Sequence, residues 1–145
     1  MSESDKSIVF VFGTLKEGFP NFATNRGQRI PGEFRTVQRY PLYLVGDRHS
    51  PWMIDTPGQG EHITGQLFIV DGQTLADMDR LERISAADGY RRREIDVTPA
   101  QGEGANDFTR AFVYVKPHDQ LVSTLIRKGP LPGYELEHAA LYRPR

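Results

Sequence analysis

The chain has no cysteine among its 145 residues. That excludes disulfides, thiolate nucleophiles and cysteine-ligated metals, and it fits a cytoplasmic enzyme. It has no strong charge of either sign, because 18 Lys and Arg against 19 Asp and Glu leave a net −1. No global field therefore draws it to nucleic acid or to an anionic membrane. No apolar run is long enough to span a bilayer, and the first residues do not resemble a signal peptide. Several motifs are missing as well. Gly13 and Gly18 have the glycine spacing of a P-loop, but Phe19-Pro20 replaces the required Lys-Ser/Thr. Gly58-Gln-Gly60 lacks the third glycine of a dinucleotide fingerprint, and there is no Gly-x-Ser-x-Gly elbow. His49, His62, His118 and His138 lie far apart with no paired metal-ligand spacing.

What is abundant is turn chemistry. Fourteen glycines and ten prolines in a chain of one-domain length favour short elements over a helical bundle. Residues 8–12, Ile-Val-Phe-Val-Phe, are apolar without alternation and read as a strand covered on both faces. Gly13 ends the run and a Gly- and Pro-containing loop follows. A buried strand opening into such a loop presents backbone N–H groups that suit a carboxylate or an oxyanion. Gly13 and Gly18 could equally serve only as turn residues.

Further strands are expected at residues 29–37, 40–45, 62–70, 91–98 and 108–115, with a short apolar return at 51–54. A short helical turn is expected within 22–28, and a short helix over 120–127. Residues 1–7 read as a frayed start, 99–107 as a mobile loop, and the tail from 129 as a segment folding back over the body. The one clear helix covers residues 73–84, with Thr74 and Asp77 resembling a capping box and Leu75, Met78 and Leu81 marking its apolar stripe. One helix is too few for a doubly wound fold. The expected class is α+β, a small mixed, largely antiparallel β-barrel.

Glu82 stands out on that helix. At about 100° per residue it lies roughly 20° from Leu75 and 40° from Met78, which turns a carboxylate toward the core. A buried carboxyl is poised for general acid–base work. The plainer reading is a stripe-edge Glu paired with Arg80, Arg83 or one of Arg91 to Arg93. The basic triplet itself, followed by Glu94 and Asp96, reads as ion-paired rather than as a nucleic-acid patch. Trp52 reads as core.

Taken in order, Val11-Phe-Gly-Thr-Leu-Lys-Glu-Gly-Phe-Pro-Asn21, Tyr40-Pro-Leu, Pro51-Trp, Pro57-Gly-x-Gly60, Thr64-Gly-Gln-Leu-Phe, Met78-Asp-Arg-Leu-Glu82, Tyr90-x-Arg92 and Leu141-Tyr-Arg-Pro-Arg145 resemble the gamma-glutamyl cyclotransferase-like family. The gamma-glutamylamine cyclotransferase branch is the nearer likeness. The resemblance implies a small barrel fold and intramolecular attack by the α-amino group of a γ-glutamyl group on its own γ-carbonyl, releasing 5-oxoproline and an amine such as the lysine ε-amine. It implies a catalytic acid/base at Glu82 and a substrate-binding loop at Phe12, Gly13, Thr14 and Leu15. It implies no metal or cofactor, a small-molecule γ-glutamyl partner only, a cytoplasmic location and, by preference, a monomer. Phe12 stands where the family usually has Tyr, so that hydroxyl is absent. The segment 85–89 is slightly longer than the family pattern, and the C-terminal segment is shorter than in vertebrate-like members. The same chemistry on γ-glutamyl amino acids or another γ-glutamylated metabolite, and a non-catalytic binding module, are the rival readings.

Overall fold

A computed structural model of the chain describes residues 6–101 and 107–144. Five strands close into a barrel: β1 (Ser7–Val11), β2 (Gln28–Thr36), β5 (Thr64–Val70), β6 (Arg91–Pro99) and β7 (Thr109–Val115), in the order β1-β5-β2-β6-β7. All pairings are antiparallel except β1 with β7, which run parallel at Val9 and Phe112. Beside the barrel, β4 (Ser50–Met53), β3 (Leu42–Val45) and β8 (Ile126–Lys128) form a small antiparallel sheet. A parallel bridge from Ile54 to Lys116 joins this sheet to the end of β7. The expected class, a mixed and largely antiparallel barrel with few helices, is what the chain adopts.

The unbroken apolar run at residues 8–12 has a direct physical reason. Phe10 and Phe12 point into the barrel with Leu67, Ile95, Val97 and Val113. Val9 and Val11 point outward into a second cluster with Phe68, Val70 and Met78. Each side of the pleat is buried in its own core, so no polar alternation is possible. The helix α1 (Gly72–Leu81) covers the outer cluster with Met78, Leu75 and Leu81. In β2 the register shifts between Ile30 and Phe34, where Pro31 and Gly32 sit and a bulge tolerates the missing donor.

Several expectations need correction. The helix does not begin with a Thr74–Asp77 capping box: Asp71 is the N-cap and accepts from the Thr74 amide at 2.8 Å. It ends at Leu81 rather than at residue 84. In place of a helix within 120–127, the chain makes two 3-10 turns, His118–Gln120 and Ser123–Leu125, and then β8. Val122 and Ile126, both β-branched, are extended and interrupt any continuous helix there. Ser7 is the first residue of β1, not part of a frayed start, and Pro99 is the last of β6; residues 1–5 and 102–106 of the expected start and loop lie outside the described residues. The tail does fold back, carrying α2 (Leu136–Ala139) and the fully buried Tyr134. Among the described residues no helix is long and apolar enough to cross a membrane.

Candidate active site

The loop after β1 is tied down on every side. Lys16 N donates to Gly13 O at 3.1 Å and Asn21 N to Thr14 O at 2.8 Å, which closes two turns. Asn21 Nδ2 donates to Thr14 Oγ1, Asn25 Nδ2 to Leu15 O, and Glu17 N to Gln66 Oε1. The buried Lys16 ammonium reaches across to Tyr134 O, so the tail clamps the loop from outside. Burial holds the Lys16 amine below the usual lysine range. Gly13 lies against Pro51, where a Cβ would come 3.0 Å from the proline ring. The loop is thus pressed onto β4.

Glu82 enters from the other side through the end of α1. Ile84 N donates to Asp79 O at 3.2 Å and Arg83 N to Arg80 O at 3.1 Å, the two bonds of a Schellman close. Glu82 is the C-cap and keeps right-handed helical dihedrals, with its own N–H donating to Met78 O at 2.9 Å. The helical phase therefore carries through Glu82 and breaks only at Arg83, whose φ is +56°. A glycine is the usual residue at that position. Arg83→Gly is expected to raise stability by up to about 1 kcal/mol, because it relieves the left-handed backbone at the loss only of an exposed ion pair to Asp88. Urea denaturation checks it; a destabilised variant would show that the ion pair outweighs the backbone.

These two elements meet. Phe12, Gly13, Thr14, Leu15 and Glu82 line one pocket of about 510 Å3, counted with the open solvent at its mouth. Thr14 and Leu15 are buried, and Glu82 is half-buried. Among the described residues nothing accepts from the amide N–H groups of Thr14 and Leu15. Both donors belong to residues on the pocket wall, where an anion could take them.

The pocket has further walls that local sequence patterns do not reveal. Tyr90 donates its hydroxyl to Pro51 O at 2.9 Å. Tyr114 donates to Asp79 Oδ1 at 2.7 Å, and Asp79 is in turn ion-paired with Arg92. Burial first, and then the Asp79 carboxylate, push the Tyr114 hydroxyl far above the ordinary tyrosine range, so it stays a donor. Arg48, Asn21 and Tyr142 close the mouth: Arg48 Nη2 donates to the Tyr142 hydroxyl at 3.2 Å, and Asn21 Nδ2 reaches it at 3.3 Å. The one cue to Tyr142 in the sequence is the Leu141-Tyr-Arg-Pro-Arg145 likeness; Arg48 has none. The basic triplet is engaged internally, with Arg92 on Asp79, Arg93 on Asp55 and Arg91 on the carbonyls of Ala86, Gly89 and Tyr90. Trp52 is only partly buried and lies under the Lys116 ammonium.

Residues 9–138 match the protein family described as gamma-glutamyl cyclotransferase, AIG2-like. Among curated proteins, gamma-glutamylaminecyclotransferase B of Danio rerio is 36% identical over 117 residues, which covers 75% of this chain and 59% of that protein. Gamma-glutamylaminecyclotransferase of Rattus norvegicus is 33% identical over 114 residues, covering 73% of this chain and 75% of its own length. The match thus spans less than two thirds of the zebrafish relative and three quarters of the rat one. The crystal structure of an AIG2-like protein from Mus musculus superimposes with a TM-score of 0.79 at 27% identity, covering 97% of each chain.

Proposed function

The chain belongs to the gamma-glutamyl cyclotransferase, AIG2-like family, a family of cyclotransferase enzymes, and on that footing we propose that it cyclises γ-glutamyl amines, with γ-glutamyl-ε-lysine as the representative substrate, to 5-oxoproline and the free amine. The observation that carries this reading is the convergence of Glu82 and residues 12–15 on one pocket from separate elements.

The reaction needs little beyond positioning and one proton relay. The glutamyl α-ammonium must lose a proton before its nitrogen can attack, and the Glu82 carboxylate is the group on the wall able to take it. Attack on the γ-carbonyl carbon forms the ring C–N bond and places negative charge on the carbonyl oxygen. The amides of Thr14 and Leu15 are suited either to that oxyanion or to the α-carboxylate of the substrate. When the bond to the leaving nitrogen breaks and the carbonyl re-forms, the proton held by Glu82 passes to that nitrogen. The surplus proton of the new ring nitrogen follows through the same carboxylate, so the amine leaves as an ammonium. Protons and electrons balance without a redox partner. Holding the glutamyl chain in its cyclisation-ready rotamer supplies much of the acceleration, because the attack is intramolecular. Phe12 contributes shape only, since it has no hydroxyl. A cytoplasmic location belongs to the same proposal.

The direct test measures 5-oxoproline release from γ-glutamyl-ε-lysine, γ-glutamyl-alanine and glutathione side by side. Release from the lysine compound, faster than from the other two, is the expected result. Release only from γ-glutamyl-alanine or glutathione would keep the chemistry and redraw the amine pocket. Silence from a folded protein across all three would replace the enzyme with a binding module.

A further inference from the structure

The pocket that holds Glu82 has a neighbour. A second cavity, about 1120 Å3 with its open solvent counted, shares Arg48, Ser50 and Tyr90 with the first. Those three residues are the partition between them. If the glutamyl group fills the first pocket, the part of the substrate beyond the scissile bond must leave it, and the space across this partition adjoins it directly.

The charges on the second cavity are unevenly matched. Its two carboxylates are each engaged by an arginine: Asp47 by Arg127 at 2.9 Å and Asp88 by Arg83 at 3.1 Å. Lys116 brings a further cation, buried, donating to Asp88 O at 2.6 Å and lying over the Trp52 ring at 4.2 Å. Arg48 differs from all of these. Its guanidinium donates to two neutral acceptors, the Tyr142 hydroxyl and Arg143 O, and among the described residues it has no carboxylate partner. It is half-buried and belongs to both cavities. A guanidinium in that position keeps donors in a planar fork that matches a carboxylate.

We propose that the second cavity is the subsite for the leaving amine, and that Arg48 pairs there with a carboxylate which that amine carries. The substrate class narrows to γ-glutamyl derivatives of amino-acid-like amines, and simple diamines are disfavoured. A diamine would bring its ammonium toward Arg48 with no carboxylate of its own to offset it, into a cavity whose two carboxylates, Asp47 and Asp88, already face arginines. This inference rests on the cyclotransferase reading above, and the experiment separates the two.

Kinetics are compared for γ-glutamyl-ε-lysine and mono-γ-glutamyl-cadaverine, which has the same chain and distal amine without the carboxylate. The unmodified protein should favour the lysine compound in kcat/KM on the order of ten- to a hundredfold, the range of a charge-assisted pair, and chiefly through KM. In Arg48→Gln that ratio should collapse toward one, and Arg48→Lys should restore part of it. A role for Arg48 in merely holding Tyr142 would change both substrates alike and leave the ratio intact, which overturns the proposal. Equal and brisk release from both compounds by the unmodified protein overturns the subsite while the cyclotransferase reading stands, whether or not the variants fold. Release from neither overturns both.

Discussion

Glu82→Gln is expected to lower kcat for 5-oxoproline release by roughly a hundred- to ten-thousandfold, the range supplied by a positioned general acid–base group. The amide keeps the shape and hydrogen-bonding size of the side chain but can neither take a proton from the attacking nitrogen nor deliver one to the leaving nitrogen. The backbone that positions it is untouched, because the N–H of residue 82 donates to Met78 O and its carbonyl accepts from Tyr90 N whatever the side chain. The product has no ammonium to deprotonate, so 5-oxoproline binding should persist, and isothermal calorimetry on the variant checks it. Lost turnover with retained product binding assigns the proton transfers to Glu82. Unchanged turnover would move the base elsewhere on the pocket wall, and joint loss of both would make Glu82 a binding residue.

Gly89→Ala is the second large effect, and it acts through the backbone. Gly89 passes so close to the end of α1 that a Cβ there would lie 1.7 Å from Arg83 O and 3.1 Å from Glu82 O. Carbonyl groups of a helix close cannot rotate away freely, since Glu82 O accepts from Tyr90 N and Arg83 O from Ala86 N. The methyl must push the corner that carries the catalytic candidate. A displacement of about 1 Å is enough to cost about a hundredfold in rate, because the attack depends on near-contact geometry. Overpacking adds a stability loss of about 1–3 kcal/mol. Steady-state kinetics well below the melting temperature separate the two consequences. A Gly89→Ala protein with ordinary kcat would show that the corner repacks without moving Glu82.

The same corner shows what was legible in the sequence. Glu82 could be found from helical phase alone, even though the helix stops one residue earlier, because a C-cap that keeps helical dihedrals preserves the phase. The strand at β1 could be found because two cores flank it and both require apolar residues. The N-cap differs from the expected Thr74–Asp77 pair for a local reason: Asp71-Gly72 closes the strand before it, and the same aspartate starts the helix. Local patterns also missed α2, a single four-residue turn, and β8, three residues held by pairing with the distant β3. Arg48 and Asn21 meet at the pocket mouth through pairings with Tyr142, across 94 and 121 positions. Periodicity over a window carries no trace of such contacts.

The meeting of the β1 loop with Tyr142 has a temporal side as well. The barrel needs nothing beyond β7, which ends at Val115, to complete its ring of strands. The pocket mouth needs residues 134 to 142, whose contacts with Lys16 and Asn21 close some of the longest loops in the chain. During synthesis, which proceeds from the N-terminus, the β-structure can form while the mouth still lacks its last wall. The ring of strands and the pocket mouth are thus specified by separate stretches of the chain.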